Sequence, residues 1–144
     1  MIPYWLLLLL PIWACMEGPR RPWPAWQAWL IGIALTLFIG LRHEVGGDWF
    51  SYIPYLTRAE GIPLAESIAM GDPGYNTLNW LFAGNALGIY GVNVVSGAIF
   101  SAGLVLFCRA QPRPWLALCL AIPYMVIVVA MGYSRQGVAL GIIM

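Results

Sequence analysis

Few side chains in this sequence can do chemistry, and most of them are gathered. The stretch RHEVGGDWFSYIPYL opens with Arg42, carries the chain's single histidine, His43, breaks at Gly46-Gly47 and reaches Asp48. The planar fork of Arg42 matches the oxygens of a phosphate or pyrophosphate. The same residue at a membrane interface can instead snorkel to headgroups or pair with Asp48. Asp48 suits either a helix cap or a general base acting on a sugar hydroxyl. His43 has no partner readable from sequence and fits a solvated loop residue better than a catalyst, leaving it as a substrate contact. Further on, Asp72-Pro73-Gly74-Tyr75 has the chemistry of a helix start, with Asp as cap and Pro at the first helical position. Tyr52, Tyr55 and Tyr75 offer aromatic faces and hydroxyls to a sugar, or belong to an interfacial belt. Arg135, with Gln136 beside it, stands between two apolar runs with no carboxylate near it in sequence. An ionisable group at the head of a membrane helix is a candidate site residue, with snorkelling as the alternative.

The elements that must position these residues are apolar. Of 144 residues 61% are hydrophobic and only 9% charged, too few charges to cover a water-facing surface. There is no lysine, and the net charge of +1 leaves no basic stripe to neutralise phosphates, which excludes nucleic acid as a partner. Trp5, Trp23, Trp26, Trp49 and Trp115 lie beside segment ends, as in the aromatic belt of a bilayer. Cys15, Cys108 and Cys119 lie in or beside apolar runs without metal-ligand spacing, so no metal or other cofactor is expected. No Gly-rich phosphate loop or nucleophile elbow is present. Glu60 and Glu66 read as a solvated face.

These observations predict an all-α, polytopic integral membrane protein, a single membrane domain over residues 1–144. Crossings are expected over 2–16, 25–41, 92–108 and 115–131, the last kinked at Pro123. The first competes with a secretory signal peptide, but it lacks a positive n-region and a cleavage site. Residues 42–74 form an outer loop, with short helices over 48–56 and 64–70. Residues 75–90, interrupted by Asn76, Asn79 and Asn85, form an interfacial or re-entrant helix. That choice rests on charge: only then do Arg20/Arg21 and Arg109/Arg113 fall together on the cytoplasmic side. Arg42, Asp48, Asp72 and Arg135 then share the outer face. Ser134 caps a fifth crossing that is only begun at Met144, where a full one needs about 20 residues, so the chain is expected to be part of a longer protein.

Arg42, then Val45-Gly46-Gly47-Asp48 and Tyr52, followed by GDPGYNTLNWL and by SRQGVA over 134–139, resembles the EpsG family of Wzy-like polysaccharide polymerases. The resemblance covers nearly all of this chain and the N-terminal third to half of a family member. It implies a multi-pass bacterial inner-membrane enzyme with its site facing the periplasm or exterior. Such enzymes join oligosaccharide repeat units carried on undecaprenyl pyrophosphate into exopolysaccharide, capsule or O-antigen. Partners would be the lipid-linked oligosaccharide, membrane lipids and other polysaccharide-assembly proteins. On this reading Asp48 positions or deprotonates the acceptor hydroxyl, while Arg42 and Arg135 neutralise the departing pyrophosphate. Tyr52, Asp72, Tyr75, Gln136 and His43 line the substrate. Two alternatives stay open. One is a glycosyltransferase moving a single sugar from a polyprenyl phosphate. The other is a non-catalytic membrane subunit or transporter in which Asp48 and Arg135 form an ion pair.

Overall fold

The structure, a computed structural model, describes residues 2–17, 23–46 and 49–144. Among these every regular element is helical. α1 (Ile2–Glu17) and α2 (Ala25–Gly40) are followed by three short helices, α3 (Trp49–Ala59), α4 (Leu64–Ala69) and α5 (Pro73–Phe82). α6 (Gly88–Ala110) is the longest, at 23 residues. α7 (Pro114–Ala121) runs directly into a π-helical stretch, Ile122–Ala130, and α8 (Ser134–Ile143) completes the described chain.

α6 is the axis. α2 packs along one side of it and α8 along another, with α1, α7 and the π stretch closing the bundle. Leu35 and Ile39 of α2 interleave with Phe100, Leu104 and Cys108 of α6 and with Leu118, Ile122 and Val126. α6 and α8 cross backbone to backbone. A Cβ on Gly103 would run into the Gly141 carbonyl, and one on Gly141 would stand 2.6 Å from the Phe100 Cα. Small residues at a crossing are how helices pack where the solvent is as apolar as their side chains.

α2 carries no charge, and its outer face is as apolar as its packed one. Trp29, Leu30, Ile33 and Leu37 are exposed on it. Water does not tolerate such a face, and hydrocarbon does. By length and composition, however, only α6 is long and apolar enough to cross a bilayer among the described residues. The other apolar helices, Pro3–Met16, Ala25–Gly40 and Pro114–Ala130, are shorter. The all-α architecture expected from sequence is present; the four full-length crossings reduce, on this criterion, to one.

Boundaries differ from expectation where glycine and proline act. The chain over 75–90 is not one helix. α5 stops at Phe82, Gly84 takes a φ of +73°, and α6 begins at Gly88 rather than Val92. Pro123 does not simply kink its helix: without an N–H and with a ring that crowds the preceding turn, it opens the widened π register over Ile122–Ala130. Two of the expected belt tryptophans are interior instead. Trp23 and Trp49 are buried, Trp23 packing edge-on against Trp115 at 5.1 Å.

That tryptophan pair brings the start of α2 beside the start of α7, so Arg109 and Arg113 lie at one end of the bundle with Trp23. The opposite end gathers the segment after α2, the three short helices, the first turns of α6 and the break before α8.

Candidate functional site

The helix leading to Tyr133 ends there, before α8 restarts at Ser134. In an unbroken α-helix the Ala130 carbonyl would take the Ser134 amide four residues on; helix ends leave such carbonyls seeking donors. Arg42, two residues past α2, supplies one. Its Nη1 donates to the Ala130 carbonyl at 2.8 Å. Its Nη2 donates to Ser134 Oγ at 2.7 Å and reaches Asn93 Oδ1 at 3.4 Å. The Ser134 hydroxyl in turn donates to Asn93 Oδ1 at 3.3 Å. Arg42 is 6% exposed and no carboxylate pairs with it among the described residues. Burial pulls its guanidinium below the ordinary value, with nearby Tyr75 and Tyr52 acting in the opposite direction. An arginine remains charged even so.

Arg135 opens the first turn of α8 one residue beyond Ser134. Its Nη1 donates to Asp72 Oδ2 at 2.9 Å, and both side chains remain about half exposed, 41% and 63%. Its guanidinium carbon lies 5.6 Å from the Tyr55 ring centre, 5.9 Å from Tyr52 and 6.0 Å from Tyr75. Three aromatic faces around one cation are mutually stabilising by cation–π attraction. The cage holds itself together: Tyr52 and Tyr75 approach to 5.3 Å, and both pack on Val92 at the start of α6. Tyr75 and Tyr52 lie near enough to both arginines to feel each of them. The Tyr75 hydroxyl is buried without a hydrogen-bond partner of good geometry among the described residues, and burial pushes its phenol upward. It stays a neutral donor.

Asp72 occupies the N-cap position of α5, as its sequence context suggested, but its side chain makes no cap hydrogen bond. The carboxylate crosses to Arg135 instead. His43 is exposed, and it too has partners that sequence left invisible. Its Nδ1 lies 2.6 Å from the Tyr90 hydroxyl, with the two rings near-parallel at 18°. Trp49 meets it edge-on, and its Nε2 is 3.9 Å from Glu44. Glu44 holds a φ of +50°, the one positive value on a non-glycine residue among those described. Gln136 is exposed beside Arg135. Asp48 lies outside the described residues.

Of the nine residues singled out from sequence, Arg42, Tyr52, Tyr55, Asp72, Tyr75 and Arg135 thus form one constellation. Gln136 flanks it, and His43 sits with Tyr90 beside Arg42. Asn93 and the Ala130 carbonyl were not anticipated, and Ser134 was read only as a cap. An amide inside a long apolar helix is a signal that could have found Asn93, because such a group needs a partner in that setting. Further buried polar atoms on the facing helices, Asn79 Oδ1, Asn93 Nδ2 and Ser96 Oγ, have no hydrogen-bond partner of good geometry among the described residues. Two apolar grooves of about 490 and 500 Å³, between α2 and α6 and between α1, α2 and α7, contain none of these residues.

A half-exposed cation in an aromatic cage, backed by a second, buried cation, suits an anionic ligand with apolar or sugar faces. No curated protein and no solved structure matches the chain. A sequence model of the EpsG family matches residues 26–144, a span that holds every residue of this constellation. The chain therefore belongs to the EpsG family, a family of exopolysaccharide-related membrane proteins.

Proposed function

We propose that this protein is the part of a polysaccharide polymerase that receives the lipid-linked end of the growing chain. The observation that carries the reading is the position of Arg135: half exposed, ringed by Tyr52, Tyr55 and Tyr75, and next to a buried second arginine. In the proposed reaction an acceptor sugar hydroxyl attacks the anomeric carbon of a donor oligosaccharide. The bond from that carbon to a polyprenyl pyrophosphate breaks, and the pyrophosphate leaves with the bonding electrons. Arg135 meets the negative charge that develops there. Preorganised cationic donors of this kind supply the larger share of such catalysis. Arg42 has both terminal nitrogens engaged inside the protein, so its role is to fix Ser134 and the start of α8 while adding a second positive charge behind the tyrosines. Asp48 takes the acceptor proton. Tyr52 and Tyr75 give the sugar an apolar face, and Asp72, Gln136 and His43 line the approach.

On the same reading the constellation faces the outside of the cell. Arg109 and Arg113 mark the opposite end as cytoplasmic by the positive-inside rule, with α1, α2 and α7 plus its π stretch crossing beside α6. These three helices are short for a crossing of about 20 residues, which local thinning of the bilayer accommodates.

Arg135→Ala should lower polymerisation about a hundredfold, the scale of a lost charge-stabilising donor. The measurement is the length ladder of surface polysaccharide in a complemented deletion strain. Near-normal ladders from the variant would sink the assignment.

A further inference from the structure

Asp72 has two possible partners and the structure uses one of them. It stands at the N-cap position of α5, where a carboxylate ordinarily accepts from the first amides of its own helix, yet it makes no such bond. It reaches instead to Arg135, 63 residues further along the chain, through a single contact at 2.9 Å. A half-exposed ion pair of one hydrogen bond and a helix cap are interactions of similar worth. The carboxylate can therefore exchange between them at little net cost. Arg135, by contrast, is ringed by three tyrosines, contacts that do not involve Asp72. A carboxylate oxygen on a guanidinium also occupies the position that a phosphoryl oxygen would take.

We propose that Asp72 is an internal competitor for Arg135. An incoming phosphate or pyrophosphate displaces the carboxylate, which turns back to cap α5. When transfer is complete, the carboxylate returns to Arg135 and helps to drive the anion off. This rests on the reading of Arg135 as the anion-binding residue and adds how that residue is closed, opened and cleared. Because the closed form is the common competitor, displacement lowers the affinity of every anionic ligand by the same factor, the fraction of molecules with Arg135 open.

The test is isothermal titration of inorganic pyrophosphate onto the protein in lipid nanodiscs. Asp72→Asn keeps a good cap residue and removes the competing charge, so it should bind about two- to fivefold tighter than wild type, the scale of a lost half-exposed ion pair. Asp72→Glu, which keeps a carboxylate within reach, should bind as wild type does, and Arg135→Gln should not bind. In the polymerisation assay Asp72→Asn should lower kcat without raising KM, because release slows while binding does not. Equal or weaker pyrophosphate binding by Asp72→Asn, with wild type binding normally, would overturn the competitor role and leave the anion site standing. No binding by wild type itself would overturn both. Thermal unfolding of each variant separates a lost site from a lost fold.

Discussion

Arg42 and Arg135 bring the same chemical group into opposite environments, and their contributions to stability should differ accordingly. Arg42 is buried, and its loss would strand the Ala130 carbonyl, Ser134 Oγ and Asn93 Oδ1 in a water-poor interior. Each unsatisfied buried polar group costs about 1–3 kcal/mol, although Ser134 and Asn93 keep one another. Arg42→Leu is therefore expected to cost about 2–4 kcal/mol in thermal unfolding in detergent, on the same accounting. Arg42→Lys should recover only part, since one ammonium cannot spread a fork over acceptors on three elements. The exposed Arg135–Asp72 pair is worth under about 1 kcal/mol. If Arg42→Leu proved no more disruptive than Asp72→Ala, the buried network would not be what holds the break before α8 in place.

Between helices, the closest approach decides. Gly103 and Gly141 let α6 and α8 meet through their backbones, and that crossing sets the position of Arg135 because α8 carries it. Gly103→Leu puts a side chain where the Gly141 carbonyl stands. An overpacked site of this kind costs about 3 kcal/mol, and here the obstacle is backbone, which cannot change rotamer. We expect the variant to unfold at markedly lower temperature or fail to accumulate. Gly74, in the first turn of α5, has nothing within 4 Å of an added Cβ. Gly74→Ala should thus be neutral or stabilise by up to about 1 kcal/mol through helix propensity. A wild-type melting curve for Gly103→Leu would mean that α6 and α8 do not cross at these glycines. The helix boundaries are also matters of local chemistry. Pro73, Pro114 and the Ser-Arg-Gln-Gly run at 134–137 sit at or beside the helix starts expected from sequence. The division of 75–90 was less legible, because it depends on Gly84 adopting a left-handed turn and on Phe82 packing over Gly91.

For the molecule as a whole, the proposed orientation has a direct readout. With Cys15, Cys108 and Cys119 replaced by alanine, a single reporter cysteine is introduced by Glu60→Cys at the end bearing α3–α5. A second version carries Arg113→Cys at the other end. Both positions are exposed. A membrane-impermeant maleimide should label the first on intact cells and the second only after permeabilisation. The reverse pattern would move the arginine–tyrosine constellation to the cytoplasm, and the proposed reaction with it.

The amino-acid sequence alone determined that the chain is helical, too apolar for water on every face of α2, and a member of the EpsG family. It also picked out most of the ionisable groups that meet at one end, because charges are so rare here that each one stands out. Position along the chain could not reveal pairing. Asp72 looked like a cap until Arg135, 63 residues away, was seen to hold it. His43 looked solitary until Tyr90 was seen beside it. Arg42 could be read as a phosphate ligand, a snorkelling residue or a partner of Asp48, and folding engages it with Ala130, Ser134 and Asn93. Where Pro or Ser acts within about a turn of itself, as at Pro73, Pro114 and Ser134, a helix start can be read along the sequence. Partners of a guanidinium are chosen by how α2, α6 and the break before α8 come together, and that information exists only in three dimensions.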